Sequence, residues 1–132
     1  MKLGLTISRL FIILFSFFLI NPNISAQKNE INAEKQAVFI YNFFKFVEWS
    51  NYNELSSFTV GVIGDEKNLV YDQLVKISKI KKAKELPIDV KRLKNLNQID
   101  DIQLLYFDKT AALKFTNIYK AIGDKHILLV SN

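Results

Sequence analysis

Phe58-Thr59-Val60-Gly61-Val62-Ile63-Gly64-Asp65 is the stretch on which the fold turns. Its β-branched and aromatic residues occupy both parities, so it reads as a strand buried on both faces, closed by a Gly-Asp turn. Downstream, Leu69 to Lys79 carries Val70, Leu74 and Ile77 at helical spacing. Leu86-Pro87 breaks that pattern. Ile88, Val90 and the aliphatic stem of Arg92 then alternate with Asp89 and Lys91, the signature of an edge strand. Asn95 to Asp101 is a connector with one helical turn. Ile102 to Phe107 is a second buried strand. Asp108 fits the N-cap of a helix through Ile122, with Ala111, Phe115, Ile118 and Ile122 on one face and Gly123 ending it. His126 to Ser131 is a last, almost wholly aliphatic strand, expected to be central. Apolar strands separated by helices imply a three-layer α/β sandwich around a mostly parallel sheet of about four strands.

Upstream, Asn29 to Asn32 is polar, and Ala33 to Val47 is a dense apolar stretch without Gly or Pro, expected to be a helix packed on the sheet. Trp49 to Asn53 reads as a loop. Before all of this lies an address. Lys2 and Arg9 precede the run Leu10 to Ile20, broken only by Ser16, and Asn21-Pro22 and the small residues to Ala26 follow. That is the three-part pattern of a secretory signal peptide over residues 1–26, with Ala26 the expected cleavage position. As a helix the run rises only about 16 Å, short of the roughly 30 Å hydrocarbon core. An uncleaved N-terminal anchor is the competing reading.

Cleavage leaves residues 27–132 as one domain and lowers the net charge from +5 to +3 by removing Lys2 and Arg9. Apolar residues make up 49% of the chain and charged residues 23%, a globular balance. Cys is absent and His occurs once, which excludes disulfide scaffolds, thiol nucleophiles and Cys/His zinc sites. Of the 18 cations only Arg9 and Arg92 are Arg, so no nucleic-acid surface is expected. Export also removes ATP, NAD and most cytosolic cofactors from reach, and no cofactor is expected.

Chemistry-bearing residues are sparse. In a parallel sheet the ligand crevice lies beyond the carboxyl ends of the strands, where Gly64, Asp65 and Asp108 would meet. Such acids hold a cation or act in acid–base chemistry, or they simply cap the helices that follow. Gly61-Val62-Ile63-Gly64 lacks the third Gly of a dinucleotide fingerprint and the Lys-Ser/Thr ending of a phosphate loop. His126 has no partner predictable from spacing, and no Gly-x-Ser-x-Gly elbow exists. Lys76, Lys79, Lys81, Lys82 and Lys84 form a basic run, either a solvated helix end or a surface for anionic lipid headgroups or an acidic partner.

The first helix says more. Phe39, Tyr41, Phe43, Phe44, Phe46 and Trp49 are six aromatics in one short stretch. At about 100° per residue, the apolar side chains span an arc of roughly 220°, wider than the roughly 100° stripe of a helix covered on one side. The surplus is buried either by more of the same domain or by another protein, since aromatics enrich interface cores.

Lys35-Gln36-Ala37-Val38-Phe39-Ile40-Tyr41-Asn42-Phe43-Phe44-Lys45-Phe46-Val47-Glu48-Trp49 resembles the opening signature of the YfiR-like family of bacterial periplasmic proteins: an Ala, then Tyr-Asn-Phe, then Lys-aromatic-Val-Glu-Trp. Phe58 to Asp65, Leu104 to Phe107 and Ile127 to Ser131 are similar to later strands of that family. The resemblance implies a non-enzymatic periplasmic regulator that binds the periplasmic part of a membrane signalling protein, such as a diguanylate cyclase, and represses it. The aromatic surplus of the first helix, over what one sheet can cover, makes Phe39, Phe43, Phe46 and Trp49 the expected partner- or self-binding residues, with a homodimer one arrangement. The family's disulfide cysteines are absent here, and its pattern continues past Ser131, so the domain is expected to be incomplete at its C-terminus. The alternative is a periplasmic sensor that takes a small ligand or cation at Gly64, Asp65 and Asp108.

Overall fold

The computed structural model describes residues 23–109 and 115–132. The expected signal sequence up to Pro22 therefore lies outside the described residues, as do Ala111 and the helix start that Asp108 was expected to cap. The chain divides into two units, Met1–Ile31 and Asn32–Asn132. Of the first, residues 23–31 are described and are helical.

Helix α1 runs Asn23–Phe46 and so begins well before Ala33. Its early residues are polar but include no Gly or Pro after Pro22, and Lys, Glu, Gln and Ala propagate a helix readily. The carbonyls at its end and just beyond are met by side chains from elsewhere: the Trp49 indole N–H donates to the Phe44 oxygen at 3.4 Å and the Lys84 ammonium donates to the Val47 oxygen at 2.8 Å.

The remaining elements are β1 (Phe58–Ile63), α2 (Leu69–Ile80), β2 (Ile88–Arg92), β3 (Leu104–Phe107), α3 (Phe115–Ile122) and β4 (Leu128–Ser131), with single 3₁₀ turns at Tyr52–Glu54 and Leu96–Gln98. The four strands form one parallel sheet in the order β2-β1-β3-β4. Val60 stands between Val90 and Leu104, and Leu105 faces Leu129. The central strands are β1 and β3, both buried nearly throughout. β2 is the expected edge strand. β4, expected in the centre, forms the other edge, and its residues are only half-buried. β3 also starts later than Ile102. Gln103 precedes it, and its side chain accepts the Thr59 N–H at 2.7 Å, so a buried amide stands where ladder pairing begins.

Strand parity sorts the interior into two cores. Phe58, Val60, Val62, Leu104 and Tyr106 point to the face covered by Ala33, Ala37, Ile40 and Phe44 of α1 and Val70 and Leu74 of α2. Ile63 and Leu105 point to the other, covered by Ile118 and Ile122 of α3 and by Leu93, Ile99 and Ile102. Helices on both faces of the sheet make this the three-layer α/β sandwich expected from the sequence. Gly61 belongs to the second face, where a Cβ would lie 2.6 Å from Leu93 Cδ1 and 2.9 Å from Ile102 Cδ1. The connector can cross that close only because no side chain is there.

Candidate functional site

The apolar arc of α1 splits into two sectors. Ala33, Ala37, Ile40 and Phe44, one helical face at steps of three and four, are at most 5% exposed and lie against the sheet. Phe39, Phe43 and Phe46 form the adjacent stripe, in which Phe43 still packs against the first core while Phe39 and Phe46 stand largely in water. Phe39 is 66% exposed and Phe46 74%, and Phe43 is half-buried. Trp49 resembles Phe43 and differs from the two exposed rings. Its ring lies 5.7 Å from Phe44 and 5.6 Å from Phe58, half-buried, and it ties the loop to the first core.

Beside that stripe is an apolar groove of about 240 Å³, walled by Phe39 and Phe43 on one side and by Val130 and Ser131 of β4 on the other, with Tyr106 in its floor. The Tyr106 hydroxyl donates to Gln36 Oε1 at 2.8 Å, which fixes α1 to β3 beneath the groove. Burial, and secondarily the charge of Asp108, pushes the Tyr106 phenol up to about 12, so it stays neutral and acts as a donor. Neither Gln36 nor Val130 was marked by its residue type or spacing as a groove residue. Gln36 lies one helical turn before Phe39 on α1, whereas Val130 reaches the groove only through the pairing of β4 with β3.

The crevice residues Gly64 and Asp108 do come together at the carboxyl ends of β1 and β3, where the strand order reverses. A Cβ on Gly64 would lie 3.1 Å from Asp108 Cβ and 2.7 Å from Asn68 Nδ2. Asp65 is committed to local structure: its carboxylate accepts the Lys67 N–H at 3.2 Å, and its carbonyl accepts from the Arg92 guanidinium at 2.9 Å. Arg92 is stacked 4.0 Å over the Tyr71 ring. Asn68 caps α2, its Oδ1 accepting the Tyr71 N–H at 3.1 Å, while its buried Nδ2 finds no acceptor. Among the described residues no three His, Asp or Glu side chains converge as metal ligands, and no helix is long and apolar enough to cross a membrane. His126 is exposed at the approach to β4.

The molecule is a parallel α/β domain whose first helix carries an aromatic stripe that is partly left in water. The sequence model of the YfiR/HmsC-like family matches residues 33–132, beginning where α1 meets the first core, and the chain belongs to that family. The family is one of periplasmic signalling regulators. No curated protein and no solved structure matches the chain.

Proposed function

We propose that this chain is a non-enzymatic periplasmic regulator that holds the periplasmic region of a membrane signalling protein, such as a diguanylate cyclase, in its inactive state. The observation that carries the reading is the uncovered stripe: Phe39 and Phe46 place large apolar surface in water beside a groove, where a monomer gains nothing from it. Phe39 and Phe43 form the centre of this contact, with Phe46 at its C-terminal margin, while Trp49 supports the helix end from the core. Export by a cleaved signal ending at Ala26 brings the chain to that compartment.

Co-expression with the membrane cyclase encoded nearest to it should lower cellular cyclic di-GMP, and Phe39→Asp should abolish that effect. Phe39 is exposed enough for the variant to keep its circular dichroism spectrum and melting temperature. Undiminished repression by folded Phe39→Asp refutes the docking stripe, and absence of any effect from the natural chain refutes the cyclase as target.

A second reading, a small-ligand sensor at Gly64, Asp65 and Asp108, draws support from the unpartnered Asn68 amide behind Gly64. Thermal-shift screening with metabolites and divalent cations tests it, an Asp65-dependent rise in melting temperature being the supporting result.

A further inference from the structure

The basic run and the end of α1, remote in sequence, form one surface. The Tyr41 hydroxyl donates to the Lys82 carbonyl at 3.1 Å, and the ammonium groups of Lys45 and Lys81 both lie over the Tyr41 ring, at 5.7 and 5.4 Å from its centroid. Lys45 also stands 5.3 Å from the Phe46 ring. Lys45, Lys79, Lys81 and Lys82 are all exposed. Two large apolar side chains project among them: Phe46 at 74% exposure, and Ile80, next in the chain to Lys81, at 78%, the most exposed of the large hydrophobics described. Glu48 and Glu85 are the acids nearest in sequence, so positive charge predominates.

This surface is held in place at a conformational cost. Ala83 and Leu86 exchange both backbone hydrogen bonds, at 3.0 and 2.9 Å, across a tight turn whose central residues Lys84 and Glu85 have φ of 46° and 68°. Neither is the Gly or Asn that such a turn favours. The turn is pinned from α1 and the following loop: Tyr52 donates to the Lys84 carbonyl at 2.5 Å, and the Lys84 ammonium donates to Val47. Strain of this kind persists where surrounding contacts over-determine the backbone. Here those contacts fix the lysine segment against the end of α1.

We propose that this face docks on an anionic phospholipid surface, with Phe46 and Ile80 entering the headgroup boundary and Lys45, Lys79, Lys81 and Lys82 facing lipid phosphates. The cations are lysines, compact charges suited to a diffuse anionic field, whereas a pocket for a particular carboxylate favours the arginine fork. The apolar groups protrude from the basic field, as insertion into a headgroup layer requires, and do not line a concavity as a peptide groove does. The surface is distinct from the Phe39 groove and meets it only at Phe46, so a regulator bound there keeps its aromatic groove free for a membrane-anchored target.

The full-length chain is sedimented with vesicles of phosphatidylcholine alone and with added phosphatidylglycerol, at low and high salt. Binding should need phosphatidylglycerol and weaken with salt, and its loss in the lysine variant below separates it from attachment through Lys2, Arg9 and the N-terminal apolar run, which that variant leaves intact. Each lysine near an anionic surface is worth roughly fivefold in partitioning, so Lys45→Gln/Lys81→Gln/Lys82→Gln together should lower binding on the order of a hundredfold. Phe46→Ser/Ile80→Ser should weaken it by tenfold or more on about the same scale of reasoning, from two partly buried apolar side chains. Phe39→Asp should leave it unchanged, which keeps this test independent of the partner-docking reading. Equal binding to both vesicle types, or full binding by the folded triple variant, overturns the proposal. Capture by a poly-glutamate resin with no loss in Phe46→Ser/Ile80→Ser, and no binding to vesicles, overturns it in favour of an acidic protein partner.

Discussion

Replacing Phe44 by Ala probes the division of α1 into a buried and an uncovered sector. Phe44 is fully buried, its ring 5.0 Å from Phe58 and 5.7 Å from Trp49, so three aromatic rings share one contact at the corner of the first core. Removing it deletes the transfer free energy of a whole ring and leaves a cavity between residues held by a central strand and a helix end, neither of which can close on it. Such changes cost about 3–5 kcal/mol. For a domain near 100 residues this is a fall of about 15–30 °C in melting temperature. Phe39→Ala is the matched control five residues away. With a third of its surface covered, Phe39 can lose at most about 1 kcal/mol. Urea denaturation of both variants, with the slope checked for constancy, gives the comparison. Equal costs for the two, or less than about 1 kcal/mol for Phe44→Ala, would refute the two-sector description, and the docking proposal with it.

Two further outcomes follow from the same geometry. Tyr106 is raised in the folded chain from 10.0 to about 12, chiefly by burial, so its contribution is complete below pH 10 and is lost as the pH climbs toward 12. Alkaline stability measurements should show a decline of about 2–3 kcal/mol over that interval that is absent in Tyr106→Phe; parallel curves for the two proteins would contradict it. Gly64→Ala drives a methyl against the buried Asn68 amide and Asp108, so it should cost about 2 kcal/mol by displacing the α2 cap, and chemical denaturation showing no loss would mean the crevice is looser than the distances imply.

The parts of the fold decided by local patterning were legible. Continuous apolar runs marked β1 and β3, alternation around Asp89 and Lys91 marked β2 as an edge, and Val70 and Leu74 gave the buried face of α2. β4 was misplaced because Leu128, Leu129 and Val130 have the composition of a central strand, and only pairing reveals the edge. The excess girth of α1 was readable from helical angles; which rings remained in water was not, since Trp49 turns inward through contacts with Phe44 and Phe58, five and nine positions away, once the loop has folded back. The parallel-sheet rule brought Gly64 and Asp108 together. The Lys84-Glu85 turn was hidden, because those residue types carry no turn preference and their left-handed backbone is imposed by Tyr52 and α1.

The all-parallel order of the sheet also bears on how the chain reaches its native state. No two strands consecutive in sequence can zip together from a short hairpin; β1 must wait for α2 before it meets β2, and β1 and β3 are joined across the whole of both. Loop-closure entropy is therefore spent before any ladder bond repays it, and acquisition of structure is correspondingly slow. Under the export proposed above, that delay would be an interval in which proteases and chaperones outside the inner membrane compete for the unfolded chain, and its abundance there would be set by kinetics as much as by equilibrium stability.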